Sequence, residues 1–337
     1  MPRARLADVA AAAGVSTATV SLVLREQPGP SEATRAAVHE AARALGYRAD
    51  RSASALARKR SHLLGVVLDV SHPFHAALVD ALDSRVAGTG LDLVLSTTTS
   101  RRDEAAAVDT LLDSRCAGIL MLGTTLGAAA LDELAADCPV VALGRPGADL
   151  ARGVWADDGA GLGQAVDHLA DLGHRRIAYA DGGRGSIATA RRRGYRAAMR
   201  RRRLDLEVSV IPAGPTEADG LVAGAILVAA EAGTTSQDTP PPTAVVAFND
   251  RCAIGIRDAL LRAGIGVPDE VSIVGYDDSP LARLATVELT SVSQEPEALA
   301  AAAVASITAL LEGREDVSDV VVQPRLVVRG STAAPPA

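Results

Sequence analysis

The sequence predicts an all-α head joined to a larger α/β core built from two doubly wound parallel-sheet lobes. Three observations carry this. Residues 1 to 48 hold three short amphipathic stretches separated by capping and turn residues. Beyond Leu63 the chain alternates short, continuous, β-branched apolar runs with Ala-rich helical stretches. The formal charge changes sign between the two parts.

In the head, Leu6, Val9, Ala10 and Ala13 recur at i, i+3, i+4 and i+7, the stripe of an amphipathic helix, and Gly14 suits its left-handed end. Ser16 is an N-cap for a second helix over about 16 to 25, with Val20, Val23 and Leu24 facing inward. Pro28, Gly29 and Pro30 stop that helix. Ser31 caps a third, whose inner face is Val38, Ala41, Ala42 and Leu45. The tight Gly14 turn gives the first two helices helix-turn-helix spacing.

The core runs read "LLGVVLDV", "LDLVLSTT", "AGILMLG", "VVALG", "RIAYADGG", "TAVVAFND" and "VSIVGYDD". Continuous rather than alternating apolar strands are covered on both faces, so these are parallel strands under helices. The βα order repeats too often for one unit, and two lobes fit better. A chain of 337 residues, 48% of them hydrophobic, can bury two such cores and a small extra module.

Net charge is -7, yet residues 1 to 60 hold ten Arg and Lys against five acids, which leaves the remainder at -12. A basic head on an acidic body implies that one part meets phosphate. No run of about 18 apolar residues occurs, and "MPRARLADVAAAAGVS" is charged where a secretory segment would be apolar, so the chain is expected in the cytoplasm with no membrane partner. Cys116, Cys138 and Cys252 are scattered and read as core residues, with no metal site and no cofactor expected. The stretches "DDGAGLG" and "DGGRGS" do not follow the first strand of a unit as a dinucleotide fingerprint does. With no GxSxG and six scattered His, no catalytic residue is assigned, and the chain is not expected to be an enzyme.

The head segments "LADVAAAAGVSTATVSLVLRE" and "SEATRAAVHEAARALGYR" resemble the DNA-binding domain of the LacI/GalR (lactose-repressor) family of bacterial transcription regulators. The segments "HPFHAALVDAL", "VVALGRP", "DDGAGLGQAVDHLADLGHRRIAY", "RRRGYRAAM", "PTAVVAFNDRCAIGIRDALLRAGIGVPDEVSIVGYDDSPLA" and "PRLVVRGST" resemble that family's effector-binding core, in register from about residue 5 to 332. The resemblance implies a homodimeric repressor of pseudo-palindromic double-stranded operator DNA. A small-molecule effector, a sugar or related metabolite, would bind between lobes that look like periplasmic sugar-binding proteins. It implies a head at 1-48, a hinge at 49-60 and a core at 61-337. Three crossovers would join a first lobe at about 61-158 and 295-321 to a second at about 159-291 and 322-332. Only "AAPPA" follows "VVRGST", so no heptad tail is expected to extend the dimer. A periplasmic sugar-binding protein without a DNA role would share the core fold, but the basic head and the charged N-terminus speak against it.

With Val20, Val23 and Leu24 inward, Thr17, Ala18, Ser21, Leu22 and Arg25 face outward, as a recognition helix in a major groove requires. Ser16 and Thr19 complete this candidate DNA-contact set. Hydroxyls reach phosphates or base edges, while Ala18 and Leu22 suit thymine methyls. Leu22 stands where the family commonly has Arg; the alternative is that it widens the core face. The basic hinge "ADRSASALARKR" has no core stripe. By resemblance it becomes helical only on DNA, with Leu56 wedged into the minor groove and Ala53 beside it; a flexible linker is the alternative. Ala49 and Asp50 replace the family's usual Pro-Asn.

Open α/β sheets bind ligands at the carboxyl ends of strands, which here places Asp69, His72, Phe74, His75, Asn249 and Asp277 at one cleft edge. By resemblance Phe74 packs on the effector, and Asn249, Arg191 and Asp277 hydrogen-bond it. Asp277 can accept two sugar hydroxyls, and Arg191 can donate as a fork. Pro215 stands where the family often has a stacking aromatic, and with His72 and His75 opposite it the pocket is an unusual one.

Overall fold

In a computed structural model of the chain, residues 4-24, 27-47, 61-145, 152-233, 240-314 and 316-336 are described. The chain divides into two compact units, Met1–Ser61 and His62–Ala337.

The first unit holds α1 (Leu6–Ala13), α2 (Thr17–Leu24) and α3 (Glu32–Ala44). Gly14 ends α1 at φ +66, a left-handed conformation that glycine adopts without a Cβ penalty, and the Val15 N–H donates back to the Ala10 carbonyl at 3.0 Å. Ser16 caps α2 by accepting the Thr19 N–H at 3.1 Å, and Ser31 caps α3 by accepting the Thr34 N–H at 3.3 Å. Val9, Ala10, Val20, Val23, Val38, Ala41 and Ala42 form the buried core. Two stripe positions differ from expectation. Leu24 is only half-buried, and Leu45 is exposed because it is the C-cap, where the chain has left the last turn of α3.

The second unit has two six-stranded sheets. The first has the order β11-β5-β4-β3-β1-β2, from β1 (Leu63–Asp69), β2 (Asp92–Thr98), β3 (Gly118–Leu122), β4 (Val140–Leu143), β5 (Arg152–Ala156) and β11 (Val320–Val322). Its helices are α4 (Pro73–Val86), α5 (Glu104–Asp113), α6 (Ala128–Asp137) and, returning late in the chain, α11 (Pro296–Leu311). Helices α4 and α11 bury Leu78, Leu82, Ala303 and Ile307 against Leu64, Val66 and Leu120 on one face. Helices α5 and α6 bury Leu111 and Leu131 against Val67, Ile119 and Met121 on the other. Cover on both faces is why β3 and β4 are buried at every position.

The second sheet has the order β12-β10-β9-β8-β6-β7, from β6 (Ile177–Ala180), β7 (Ser209–Ile211), β8 (Ala244–Ala247), β9 (Ser272–Tyr276), β10 (Thr290–Ser293) and β12 (Arg325–Val327). Helices α7 (Asp158–Asp171) and α8 (Ser186–Arg201) cover one face through Leu162, Val166, Tyr195 and Met199. Helices α9 (Glu217–Glu231) and α10 (Asp250–Arg262) cover the other through Ala223, Leu227, Cys252 and Ile256. One strand departs from the all-parallel expectation: β12 runs antiparallel to β10, pairing Ser291 with Val327 and Ser293 with Arg325. It is the edge strand of its sheet, entered from β11 of the other sheet, and mixed sheets commonly carry one antiparallel strand at the edge. The chain passes between the sheets after β5, after β10 and after β11.

Candidate functional site

In the head, Thr17, Ala18 and Leu22 are exposed on α2, with Leu22 41% exposed and outside the small core. The face predicted to point outward therefore does so at these positions, and Leu22 does not widen the core. Thr19 and Ser21 are half-buried, and the Ser16 hydroxyl is engaged with both the N–H and the hydroxyl of Thr19. Of this set, Thr17, Ala18 and Leu22 are the freest. Arg25, Ala53 and Leu56 lie outside the described residues.

In the core unit a cavity of about 50 Å³ lies between the carboxyl ends of the two sheets. The first lobe supplies His72, Phe74, His75, Leu78, Leu122, Leu143 and Leu299; the second supplies Asp158, Ile187, Arg191 and Phe248; Gln294 comes from the segment after β10. Arg191 organises the polar wall. Its side chain is almost fully buried, with Nε donating to Asp158 Oδ1 at 2.9 Å and Nη1 donating to the Phe248 carbonyl at 2.6 Å. The guanidinium lies 3.7 Å from the centroid of the Tyr276 ring, and the Tyr276 hydroxyl donates to the same Asp158 oxygen at 2.9 Å. The Asp158 carboxylate holds the guanidinium firmly charged despite its burial.

The remaining expected residues fall in different places. Asp277 sits at the end of β9 with φ +105, accepts from Gln294 Nε2 at 2.6 Å, and lies 3.9 Å from Arg191 Nη2. Burial pushes its carboxyl up to about 6, against the pull of Arg191. Asn249 is turned away: Oδ1 caps α10 by accepting the Cys252 N–H at 2.9 Å, and Nδ2 donates to the Pro215 carbonyl at 3.0 Å. Asp277, Asn249 and Pro215 all lie outside the cavity lining. Asp69 Oδ1 accepts from the N–H and hydroxyl of Ser71, both at 2.8 Å, while the Asp69 N–H donates to His75 Nδ1 at 3.1 Å. Asp69 thus positions its neighbours from outside the cavity wall. Asp250 is the first residue of α10 rather than its cap, and burial pushes its carboxyl up to about 7.

Asp158, Phe248, Ile187 and Gln294 also line the cavity, although neither motif nor resemblance pointed to them. A signal for Asp158 was present: two consecutive acids, Asp157 and Asp158, open a helix at a strand end. Asp157 caps α7 by accepting the Ala160 N–H, so the second acid is left over for another task. The two lobes also touch outside the cavity, where Arg251 on α10 holds Glu217 through two hydrogen bonds and donates from Nη1 to the Ser71 carbonyl at 2.8 Å.

A helix-turn-helix head and a two-lobed core with a lined interlobe cavity define a ligand-responsive DNA-binding regulator. Comparison with known proteins agrees. Residues 5–50 match the model of bacterial regulatory proteins of the lacI family, and residues 166–332 match the periplasmic binding protein-like domain. The transcriptional regulator GalR of Salmonella typhimurium is 34% identical over 341 residues, covering 98% of this chain and 97% of the relative. Among solved structures, a LacI transcriptional regulator from a Rhodococcus species is 40% identical with TM-score 0.76, over 81% of this chain and 98% of that one. The lac repressor dimer bound to operator and the anti-inducer ONPF is 26% identical with TM-score 0.83, over 99% and 100%. The chain belongs to the lacI family of bacterial transcription regulators. Its relatives are regulators rather than enzymes, which also sets aside the reading of a sugar-binding protein with no DNA role. No single helix among the described residues is long and apolar enough to cross a membrane.

Proposed function

We propose that the protein is a homodimeric repressor acting in the cytoplasm, whose affinity for a pseudo-palindromic operator is set by a sugar or related metabolite held between the core lobes. The observation that carries this is the cavity lined from both lobes around Arg191. A ligand touching both walls has different contacts in open and closed arrangements, and that difference is what shifts a conformational equilibrium. Thr17, Ala18 and Leu22 read bases on the exposed face of α2, and the hinge with Ala53 and Leu56 engages the minor groove. Phe74 and Arg191 hold the effector; the geometry supports Asp277 and Asn249 less, because Asp277 lies outside the cavity lining and is engaged by Gln294, and the Asn249 amide is spent on the α10 cap and on Pro215.

Two heads are needed because one small module buries too little surface for specific affinity. The core offers a surface for pairing: α9 exposes Leu221, Val222, Ala225 and Ile226 at i, i+1, i+4 and i+5, opposite the face that packs on α10. Among solved structures that share this fold, a CelR–cellobiose complex, 28% identical with TM-score 0.69, supports a saccharide as the occupant. The test is footprinting of the full-length protein on DNA flanking its own gene, followed by titration of saccharides against the footprint. A two-fold symmetric footprint released or tightened by a sugar is expected; an asymmetric footprint indifferent to every sugar would overturn the reading.

A further inference from the structure

The rings of His72 and His75 stack at 4.6 Å between centroids with an interplanar angle of 20°, and both line the cavity. Their nitrogens are not equivalent. His75 Nδ1 accepts the Asp69 N–H, so the ring proton sits on Nε2. That Nε2 lies beside Gly123, where a Cβ would come within 3.2 Å of it, and Gly123 itself has φ +63. Gly123 also lines the cavity, so the donor edge of His75 is at the cavity wall. His72 is the N-cap residue of α4, yet its side chain makes no capping bond, and its Nδ1 is buried with no hydrogen-bond partner. A buried polar atom without a partner is costly unless something occupies the site.

The charge inventory restricts what that occupant is. Among the described lining residues only Asp158 and Arg191 carry charge, and they are paired with each other. Around them, Asp277 is held by Gln294, Asp69 by Ser71, and Arg251 by Glu217. Burial lowers both imidazoles to about 4, so neither ring supplies a positive charge near neutral pH. An anionic ligand would shed its hydration without gaining a free cation, and a cationic one would find no free carboxylate.

We propose that His72 and His75 form a specificity subsite for an uncharged, unphosphorylated, hydroxyl-bearing ligand, whose hydroxyl accepts from His75 Nε2–H and meets the Nδ1 of His72. A hydroxyl both donates and accepts, so it serves His72 in either tautomer. The subsite rests on the reading of the interlobe cavity as the effector site, and it goes further by selecting against phosphate esters.

The experiment is calorimetry on the full-length protein with ribose, galactose, glucose and cellobiose, and with ribose 5-phosphate, galactose 6-phosphate and glucose 6-phosphate. At least one free sugar is expected to bind, with its ester at least about tenfold weaker. His75→Phe is expected to weaken that sugar by about tenfold, the scale of a lost buried hydrogen bond, while His75→Gln, which keeps a donor near Nε2, stays within about threefold. If His75→Phe does not fold, His72→Leu reads the same loss at the other ring. Sugar binding weakened by Phe74→Ala but untouched by His75→Phe and His72→Leu overturns the subsite and leaves the cavity reading standing. Tighter binding of an ester also overturns the subsite. Silence of all seven compounds overturns the cavity as a sugar site, and the subsite with it.

Discussion

Arg191→Met removes the guanidinium that sits between the two lobes while keeping most of the side-chain volume. In the wild type Asp158, 7% exposed, receives both Arg191 Nε and the Tyr276 hydroxyl on one oxygen. After the substitution only the tyrosine remains, and a buried carboxylate is left without its counter-charge. Breaking one side of such a pair costs about 3 to 5 kcal/mol, and for a unit of this size the melting midpoint should fall by roughly 10 °C. The lost cation–π contact with Tyr276 adds to the effect in the same direction. The double variant Asp158→Leu/Arg191→Met should recover part of the loss, because a charge pair replaced by apolar groups is often neutral and the remaining cost is the orphaned Tyr276 hydroxyl. Urea unfolding followed by circular dichroism, alongside the fluorescence of the single Trp155, measures all four corners of this cycle. A loss under about 1 kcal/mol for Arg191→Met, or four corners that add without coupling, would refute the claim that this ion pair organises the polar wall.

Leu22→Arg should shift operator preference toward guanine at one symmetric position, since Leu22 is exposed and an Arg there can fork onto a base edge; selection from a randomised operator pool reads this, and indifference to the substitution removes Leu22 from the readout. Leu56→Ala should weaken specific operator binding by about 1 to 3 kcal/mol while sparing non-specific DNA, and equal losses on both would end the wedge role. Gly255→Ala places a Cβ 2.1 Å from the Glu217 carbonyl oxygen and 2.9 Å from the Gly220 Cα, so α9 and α10 must separate; overpacking of about 1 to 3 kcal/mol exceeds the helix-propensity gain of about 1. Sedimentation should also show a weaker dimer, because α9 carries the apolar stripe; unchanged stability would mean the helices part freely. Stability should also depend on pH in opposite senses. His72 and His75, lowered to about 4, contribute stability that is present above pH 6.5 and lost as pH falls toward 4. Asp277 and Asp250, raised to about 6 and 7, contribute stability that is present in acid and lost as pH rises through those values. Unfolding midpoints of His72→Asn/His75→Gln should therefore gain on the wild type from pH 6.5 to 4.5, and parallel curves would count against buried neutral imidazoles.

Periodicity and turn chemistry in the sequence determined the elements and their class. The stripe at Val9, Ala10, Val20, Val23 and Val38 closes a core by local rules alone, because each helix has one apolar face and serine caps start α2 and α3. Continuous runs such as "AGILMLG" announced buried parallel strands for the same reason. Strand ends likewise pointed to Phe74, His75 and Asp277 near one cleft, since ligand sites of open sheets follow from strand direction, whereas Arg191, inside α8, was pointed to only by the family resemblance. What the sequence could not settle was how each polar side chain divides its hydrogen bonds among residues far apart in the chain. Asn249 reads as a ligand donor until the fold brings the Pro215 carbonyl to its amide, and Asp158 reads as part of a glycine-rich helix start until Arg191 and Tyr276, 33 and 118 residues away, converge on it. Local propensity is set by a few neighbouring residues, whereas a buried polar group must be satisfied by whatever the packed tertiary structure places within reach. The tertiary structure therefore decided the site's charge balance, and with it the neutrality of the wall formed by His72 and His75.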